Sequence, residues 1–211
     1  MVRLLSLIVV CCGLTAPAFA LSNEVRPAPR AVELPRAWWE YRPEGDLWSR
    51  VALSAVKSHG AALIETVPRD IGDWCPAYES NPAEARAAFW VALLSTVSRY
   101  EGTWRPRAVG GGGRWFGLMQ IAPSTADFRG CRVRSGTGLL NGADNLNCAV
   151  RILSVTIPRD GVISEKGGRW QGVAADWGPM RNAGKRRSMQ AYTKRQTYCR
   201  PLSEVRPARR P

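Results

Sequence analysis

A single glutamate, Glu101, ends an apolar helical stripe in the middle of the chain. Trp90, Leu94, Val97 and Glu101 follow one another at spacings of four, three and four residues, so they share one face of a helix. An acid that ends a buried stripe is costly to ionise, and we expect its pKa to be raised. A raised pKa keeps a carboxylic acid protonated near neutral pH, as general acid catalysis requires. The alternative interpretation is that the side chain simply reaches solvent at the helix C-terminus.

Two segments downstream of Glu101 add side chains that can hydrogen-bond a ligand. The first is the run Gly117-Leu118-Met119-Gln120-Ile121, and the second is Asp144-Asn145 at the start of a predicted helix. Asp127 and Asp144 are the acids nearest these motifs. Both fit helix starts, where the helix dipole stabilises a carboxylate, and we interpret both as structural.

Other catalytic motifs are missing from this sequence. His59 is the single histidine, and it lies in an Ala/Ser-rich stretch without a nucleophile motif. This argues against a Ser-His-Asp or Cys-His site. No H-E-x-x-H metal motif occurs, and we interpret the glycine run from Gly110 to Gly113 as a flexible loop. Any enzymatic chemistry is therefore expected to use carboxylates and amides, with no metal and no cofactor.

The elements expected to position these residues are helices. The clearest runs from Ala83 to about Tyr100, with Asn81 as N-cap, Pro82 at the first helical position and Gly102 after its end. The other predicted helices are Leu47 to Val67, one after Pro123 capped by Ser124, Ala143 to Ile157 closed by Pro158, and Ala183 to Gln196. No strand alternation is convincing. We predict a mainly α fold with long loops and little or no β-sheet.

Residues 1–20 have the features of a secretory signal peptide. An apolar run from Leu4 to Leu14 precedes Ala18-Phe19-Ala20, which fits the A-x-A rule, so cleavage is expected after Ala20. The run is too short for a membrane anchor, which needs ~20 apolar residues, and no later segment is apolar enough. The remaining chain is predicted to contain a Pro/Arg-containing linker or arm (21–46), a domain (47–199, core 75–199) and a basic Pro/Arg tail (200–211).

Four cysteines remain after the predicted signal peptide: Cys75, Cys131, Cys148 and Cys199. An even number in an exported chain indicates two disulfides, although the sequence allows three pairings. We favour Cys131–Cys148 as a local link and Cys75–Cys199 as a link between the ends of the domain. A metal site is the rival interpretation, and the lack of any C-x-x-C pair argues against it.

The net charge of +13 at pH 7 favours an anionic partner. An exported chain with disulfides rarely meets nucleic acid, so we expect no nucleic-acid partner. Electrostatic contact with an anionic cell-wall polymer or membrane surface fits the charge better. We expect a monomer.

The order of these motifs resembles the soluble lytic transglycosylase (SLT) family, lysozyme-like enzymes that cleave peptidoglycan glycan strands. The family pattern is a catalytic Glu usually followed by Ser, then Gly-Leu-Met-Gln with Pro-x-Thr-Ala, then a helix that begins with Asn. The resemblance covers about Phe89 to Leu153. It implies a lysozyme-like fold and a periplasmic enzyme, and the flanking cysteines resemble a disulfide-containing proteobacterial branch of the family.

The resemblance also implies roles for individual residues. Glu101 would be the single acid/base, protonating the glycosidic oxygen between N-acetylmuramic acid and N-acetylglucosamine and then accepting the C6 hydroxyl proton, so that a 1,6-anhydro ring closes. The residues expected to bind substrate are Gly117, Leu118, Met119, Gln120, Asn145, Trp104 and Trp115. Gln120 would hydrogen-bond the sugars, Met119 would pack on a sugar face, and Asn145 would contact substrate or cap its helix. Either tryptophan would stack on a sugar ring or belong to the core.

Two departures from the family pattern concern the surroundings of Glu101. Gly102 stands where the family usually has Ser, and Thr103 is the hydroxyl that would replace it. The family's orienting tyrosine has no clear counterpart, because Arg181 takes its place unless the counterpart lies around Asp176-Trp177. A lysozyme-like hydrolase that uses the same glutamate and a peptidoglycan-binding protein with a weakened site therefore remain alternatives.

Overall fold

The computed structural model describes residues 34–201; the predicted signal peptide, the first part of the arm and most of the basic tail lie outside them. The α-helices of the described part are α1 (Gly45–Lys57), α2 (Ala61–Glu65), α3 (Ala83–Tyr100), α4 (Pro123–Phe128), α5 (Gly136–Leu139), α6 (Gly142–Asp160), α7 (Val173–Asp176) and α8 (Ala183–Lys194). Short 3₁₀-helices cover Ile71–Asp73, Tyr78–Ser80, Gly178–Arg181 and Thr197–Cys199.

The β-structure within residues 34–201 amounts to two small antiparallel hairpins. Strand β1 (Val109–Gly110) pairs with β2 (Trp115–Phe116), and β3 (Ser164–Lys166) pairs with β4 (Trp170–Gly172). The predicted mainly α fold is confirmed. The first hairpin follows α3 directly along the chain.

Helix α3 is the centre of the domain. Twelve consecutive residues, 87–98, are buried, so the helix is covered on all sides and not along one stripe. Helices α1, α2 and α8 pack against it. The buried hydroxyls of Ser95, Thr96 and Ser98 donate to backbone carbonyls three residues earlier in the same helix, which satisfies them without help from other elements.

The start of α3 differs from its predicted capping. The bounds match the expected Ala83 to Tyr100, but Pro82 is the N-cap residue and no side chain caps the helix. The Asn81 amide instead donates to the Tyr198 carbonyl oxygen at 2.6 Å. Asn81 therefore joins the start of α3 to the end of the domain, a long-range contact that local sequence does not reveal.

Three other predicted helix boundaries are wrong. The 47–67 segment is broken at Gly60, where a Cβ would lie 2.6 Å from Val150 Cγ1 of α6. Helix α4 has Ala122 and not Ser124 as its N-cap residue. Helix α6 runs through Pro158 to Asp160 and ends at Gly161, whose φ of 65° suits glycine.

Part of the predicted arm belongs to the domain. The Trp39 side chain is fully buried, and its indole N–H donates to Ser49 Oγ at 2.9 Å. The Trp38 ring stacks on Tyr192 at a centroid separation of 5.0 Å. Two tryptophans held in this way bury a large apolar area, so the described residues of the arm (34–46) are structural and not a linker.

Two disulfides close the domain. The structure contains Cys75–Cys199, which spans 124 residues, and Cys131–Cys148, which spans 17. This is the pairing that we favour from the sequence, and it engages all four thiols. Among residues 34–201, no group of three or more His, Cys, Asp or Glu side chains is arranged to hold a metal ion. No helix in that range is both long and apolar enough to cross a membrane.

Candidate active site

Glu101 lies at the C-terminus of the buried helix α3. Trp90, Leu94 and Val97 are 0%, 1% and 1% exposed, as the stripe predicts, and the Glu101 backbone N–H donates to the Val97 carbonyl oxygen. Burial raises the pKa of the Glu101 carboxyl from 4.5 to about 7, and the positive charge of Lys185 acts in the opposite direction. The side chain can therefore exist in both its protonated and its ionised form near neutral pH.

The segment 117–120 is attached directly to the residue after Glu101. The Gly102 N–H donates to the Leu118 carbonyl oxygen at 3.1 Å. A Cβ at Gly102 would lie 2.7 Å from the Gly117 oxygen and 2.8 Å from the Leu118 oxygen. The backbone thus leaves no room for a side chain at Gly102, the position where the SLT pattern usually has serine.

We expect the family-like substitution Gly102→Ser to damage this protein. The new Cβ would collide with two backbone oxygens that cannot rotate away, so the 117–120 segment or Glu101 must move. Such overpacking destabilises a fold by about 1–3 kcal/mol, and a misplacement of about 1 Å can reduce a rate by ~10²-fold. Thermal unfolding of the variant measures the first effect, and an activity assay measures the second.

Gly72→Ser is the matched control for that substitution. A Cβ at Gly72 would meet no atom within 4 Å. We expect this variant to keep the stability and activity of the parent protein. A Gly102→Ser variant that behaved like Gly72→Ser would show that the contact between Gly102 and the 117–120 segment is unimportant.

Asn145 fixes the 117–120 segment from the opposite side. The side chain is fully buried; its Oδ1 accepts the Met119 N–H at 2.8 Å, and its Nδ2 donates to the oxygens of Phe116 (2.9 Å) and Leu139 (3.0 Å). The N-cap of α6 is Asn141. Both roles expected for Asn145, substrate contact and helix cap, are therefore wrong.

Gly117, Leu118 and Met119 also stabilise the 117–120 segment and do not form an exposed surface. Gly117 has φ of 79°, and a Cβ there would collide with Asn145. The Leu118 and Met119 side chains are fully buried, so the expected packing of Met119 on a sugar is wrong. The Met119 carbonyl oxygen accepts the Trp177 indole N–H at 2.9 Å. The side chains of both Leu118 and Met119 therefore face the core.

Gln120 and Trp115 are the two expected binding residues that stay accessible. Gln120 is half-buried, and its Nε2 donates to the oxygens of Ala108 (3.1 Å) and Gly117 (2.9 Å). The Trp115 side chain is 43% exposed. A Cβ on Gly110 would collide with the Gln120 side chain, and one on Gly111 would collide with the Trp115 ring. The glycine run thus makes room for an aromatic ring and an amide side by side.

Trp104 belongs to the core and not to a binding surface. It is 4% exposed, its indole N–H donates to the Ser95 carbonyl oxygen at 2.9 Å, and the Arg99 guanidinium lies 4.8 Å from its ring centroid. The Tyr41 ring meets it edge-on. Of the two roles expected for Trp104, the structure supports a place in the core and not stacking on a sugar ring.

Unusual backbone conformations are concentrated around Glu101. Within residues 34–201, the non-glycine residues with positive φ are Thr103 (50°), Trp104 (54°) and Gln120 (47°). Each such residue costs about 1–3 kcal/mol and persists only where its surroundings enforce it. The Thr103 hydroxyl donates to the Gly102 oxygen and accepts from Arg105, so it does not replace the missing serine near the carboxylate.

Neither expected counterpart of the orienting tyrosine reaches Glu101. The Arg181 guanidinium donates to the carbonyl oxygens of Ala174 and Ala175, and Trp177 bonds Met119. No hydrogen bond from residues 34–201 reaches the Glu101 carboxylate. The group that acts on it is Lys185, which the sequence analysis missed. The sequence does not reveal that this lysine is near Glu101, because its proximity depends on how α8 packs against α3.

A separate cleft of about 460 Å³ is lined by Glu44, Leu47, Trp48, Pro106, Arg107, Thr137, Leu140, Asn141, Gly142 and Ala143. Glu101, Trp115 and Gln120 are not among its lining residues.

A mainly helical, disulfide-linked domain with a glutamate at the end of its central helix is of the lysozyme-like class. Residues 80–175 match the family described as Transglycosylase SLT domain. Over these residues the match supports the SLT family that the sequence resembles. No curated protein is similar enough to count as a match.

Solved structures of DslA (Bd0314) share the fold. The wild-type form 2 has a TM-score of 0.72 and 28% sequence identity, over 78% of this chain and 98% of that chain. Two Glu-to-Gln variants of the same protein have the same TM-score, with 28% and 25% identity. Those matches cover 78% and 80% of this chain and 97% and 100% of those chains. The family implies binding of peptidoglycan, and with two disulfides it is typical of an exported protein.

Proposed function

We propose that this chain is a peptidoglycan lytic transglycosylase and that Glu101 is its single acid/base. The observation that carries the proposal is the half-buried Glu101 side chain, at the end of α3 and beside the 117–120 segment, whose loss of solvent raises the carboxyl pKa to about 7. A group with this pKa can donate a proton and accept one back at the same pH.

The proposed reaction needs no second carboxylate and no water. The protonated Glu101 donates to the oxygen that joins N-acetylmuramic acid C1 to N-acetylglucosamine, and the C1–O bond breaks. The C6 hydroxyl of the same muramic acid then bonds to C1, and its proton passes to the Glu101 carboxylate. The ring closes as a 1,6-anhydro product, and Glu101 returns to its starting form.

The positions of the other acids favour this single-residue mechanism. The sequence contains no Asp or Glu between Glu101 and Asp127. Asp127 pairs with Arg134 at 3.1 Å, and Asp144 pairs with Arg132. These two carboxylates are engaged in structural ion pairs, which agrees with the structural role that we infer for them. An inverting or retaining hydrolase would use a second acid near the scissile bond.

We further propose that Trp115 and Gln120 contact the glycan directly. The exposed Trp115 ring offers a face for a sugar, and Gln120 keeps its Oε1 as an acceptor beside it. Gly117, Leu118, Met119 and Asn145 act indirectly, by holding the segment that carries Gln120.

The cellular setting is also a proposal. The signal peptide predicted over residues 1–20 and the two disulfides support a periplasmic enzyme. The net charge of +13 supports electrostatic contact with an anionic wall or membrane, and we expect a monomer and no nucleic-acid partner. We propose that the catalytic domain ends at residue 199. The basic tail after it lies mostly outside the described residues.

Mass spectrometry of the products tests the proposed reaction. Purified peptidoglycan is incubated with the mature protein, and the released muropeptides are weighed. We expect products that end in 1,6-anhydro-muramic acid. Products that are one water heavier would instead identify a lysozyme-like hydrolase that uses the same glutamate. Intact strands after long incubation, with binding retained, would support the peptidoglycan-binding alternative.

A further inference from the structure

The N-terminus of α8 carries positive charge where a helix normally carries negative charge. Asn182 caps the helix by accepting the Lys185 N–H at 3.0 Å, and the first turn contains no acid. Lys185, Arg186 and Arg187 follow one another there. Cations at this end oppose the helix dipole, so α8 gains no stability from them. A local rule broken in this way points to a function for at least one of these side chains.

Lys185 is directed toward the end of α3. Its ammonium lies 5.5 Å from the centroid of the Tyr100 ring, within the range of a cation–π contact. Tyr100 directly precedes Glu101, and α8 packs against α3. Among residues 34–201, Lys185 takes part in no ion pair with an acid. The aromatic ring therefore keeps a free positive charge close to Glu101.

The other charged groups around Glu101 are engaged elsewhere. Arg99 lies over the Trp104 ring, and Arg105 donates to the Thr103 hydroxyl. The 117–120 segment (Gly-Leu-Met-Gln) contributes no ionisable side chain. Attraction to Lys185 lowers the pKa of Glu101 and partly offsets the effect of burial.

We propose that Lys185 is the positioning residue for Glu101, and that its ammonium stabilises the ionised carboxylate in place of an orienting tyrosine. Its role in catalysis rests on the proposed function, because an acid/base must exist as a carboxylate midway through the reaction. The electrostatic coupling between the two side chains does not depend on any substrate.

A carboxyl titration by NMR tests this coupling without substrate. The side-chain carboxyl of Glu101 is followed from pH 4 to 10 in protein labelled with ¹³C-glutamate, and Glu101→Gln identifies its signal. In Lys185→Met we expect the pKa of Glu101 to rise above that of the parent protein, while Lys185→Arg keeps it near the parent value. An unchanged pKa in Lys185→Met would overturn the proposal.

Lys194→Met is the matched control, because it removes the same charge from the other end of the same helix. Nine residues of helix place Lys194 about 13 Å further along the axis, where salt screens its charge. We expect no change in the pKa of Glu101 in this variant. An equal rise in both variants would mean that net charge and not position matters, and would also overturn the proposal.

Activity gives the second readout. If Glu101 donates a proton, the basic limb of the pH–rate profile should move to higher pH in Lys185→Met, and kcat should fall with little change in KM. Lys185→Arg should restore both. A profile that does not move, in a protein that cleaves glycan, would contradict the positioning role. A parent protein that cleaves no glycan would instead reject the proposed function, and the NMR titration would still decide the coupling.

Discussion

Replacing Glu101 with glutamine is expected to reduce glycan cleavage by about 10²–10⁴-fold, the usual contribution of a general acid. Glutamine keeps the size of the side chain but can neither donate nor accept the proton. Release of soluble muropeptides from purified peptidoglycan measures the loss. Glu84→Gln is the control, since it makes the same change in the exposed first turn of the same helix. A Glu101→Gln variant that cleaves as fast as Glu84→Gln would exclude Glu101 as the acid.

The same substitution should stabilise the protein, but only at high pH. The folded-state pKa of Glu101 is raised from 4.5 to about 7, so folding opposes its ionisation. Below pH 4.5 the group is protonated in both states and adds no penalty; between pH 4.5 and 7 the penalty grows, and above pH 7 it is complete. The shift corresponds to about 3 kcal/mol.

Thermal unfolding at two pH values checks this sign. We expect Glu101→Gln to match the parent protein near pH 4 and to unfold at a higher temperature near pH 8. The Glu84→Gln control should show no such gain. A variant that is less stable than the parent at pH 8 would mean that the ionised carboxylate is favoured by the fold, contrary to its burial.

The largest loss of stability is expected from Asn145→Ala. The substitution leaves the Met119 N–H and the Leu139 oxygen without their partner in the interior and opens a small cavity. The Phe116 oxygen loses one of its two donors and still accepts the Ile121 N–H at 3.0 Å. Unpaired buried polar groups cost about 1–3 kcal/mol each, so we expect a total of about 3–5 kcal/mol. A fall in Tm of roughly 10 °C would follow.

Asn141→Ala and Asn145→Asp are the matched comparisons. Asn141 is the true cap of α6, and its loss should cost only about 1 kcal/mol. Asn145→Asp keeps the shape of the side chain and the acceptor for the Met119 N–H. It replaces the donating Nδ2 with an oxygen that faces the carbonyl oxygens of Phe116 and Leu139, so we expect this variant to be destabilised as well. An Asn145→Ala loss no larger than that of Asn141→Ala would show that the 117–120 segment is held by other contacts.

Local sequence was sufficient to predict the helix that ends at Glu101 and the raised pKa of its carboxyl. Helical periodicity determines the stripe, and burial of a carboxyl follows from its place in that stripe. The mainly helical fold and the disulfide pairing also agree with the expectations from the sequence.

The support around Glu101 was not predictable in this way. Asn145 and Met119 are 26 residues apart. Nothing in either segment shows that the Asn145 side chain will accept the hydrogen bond of the Met119 backbone N–H. The packing of Trp38 and Trp39 on the domain was not predictable for the same reason. A proline-rich stretch resembles a linker unless the surface against which it packs is known. Lys185 is near Glu101 only because α8 packs on α3. Tertiary packing decides each of these positions.

The complete burial of α3 has a consequence for hydrogen exchange. Amides protected on all sides exchange only when the whole domain opens, whereas helices at the surface exchange through small local openings. Residues 87–98 should therefore be the slowest-exchanging part of the described chain. Glu101 is attached to the end of that segment, so its backbone anchor should persist through the partial openings that loosen the surface helices.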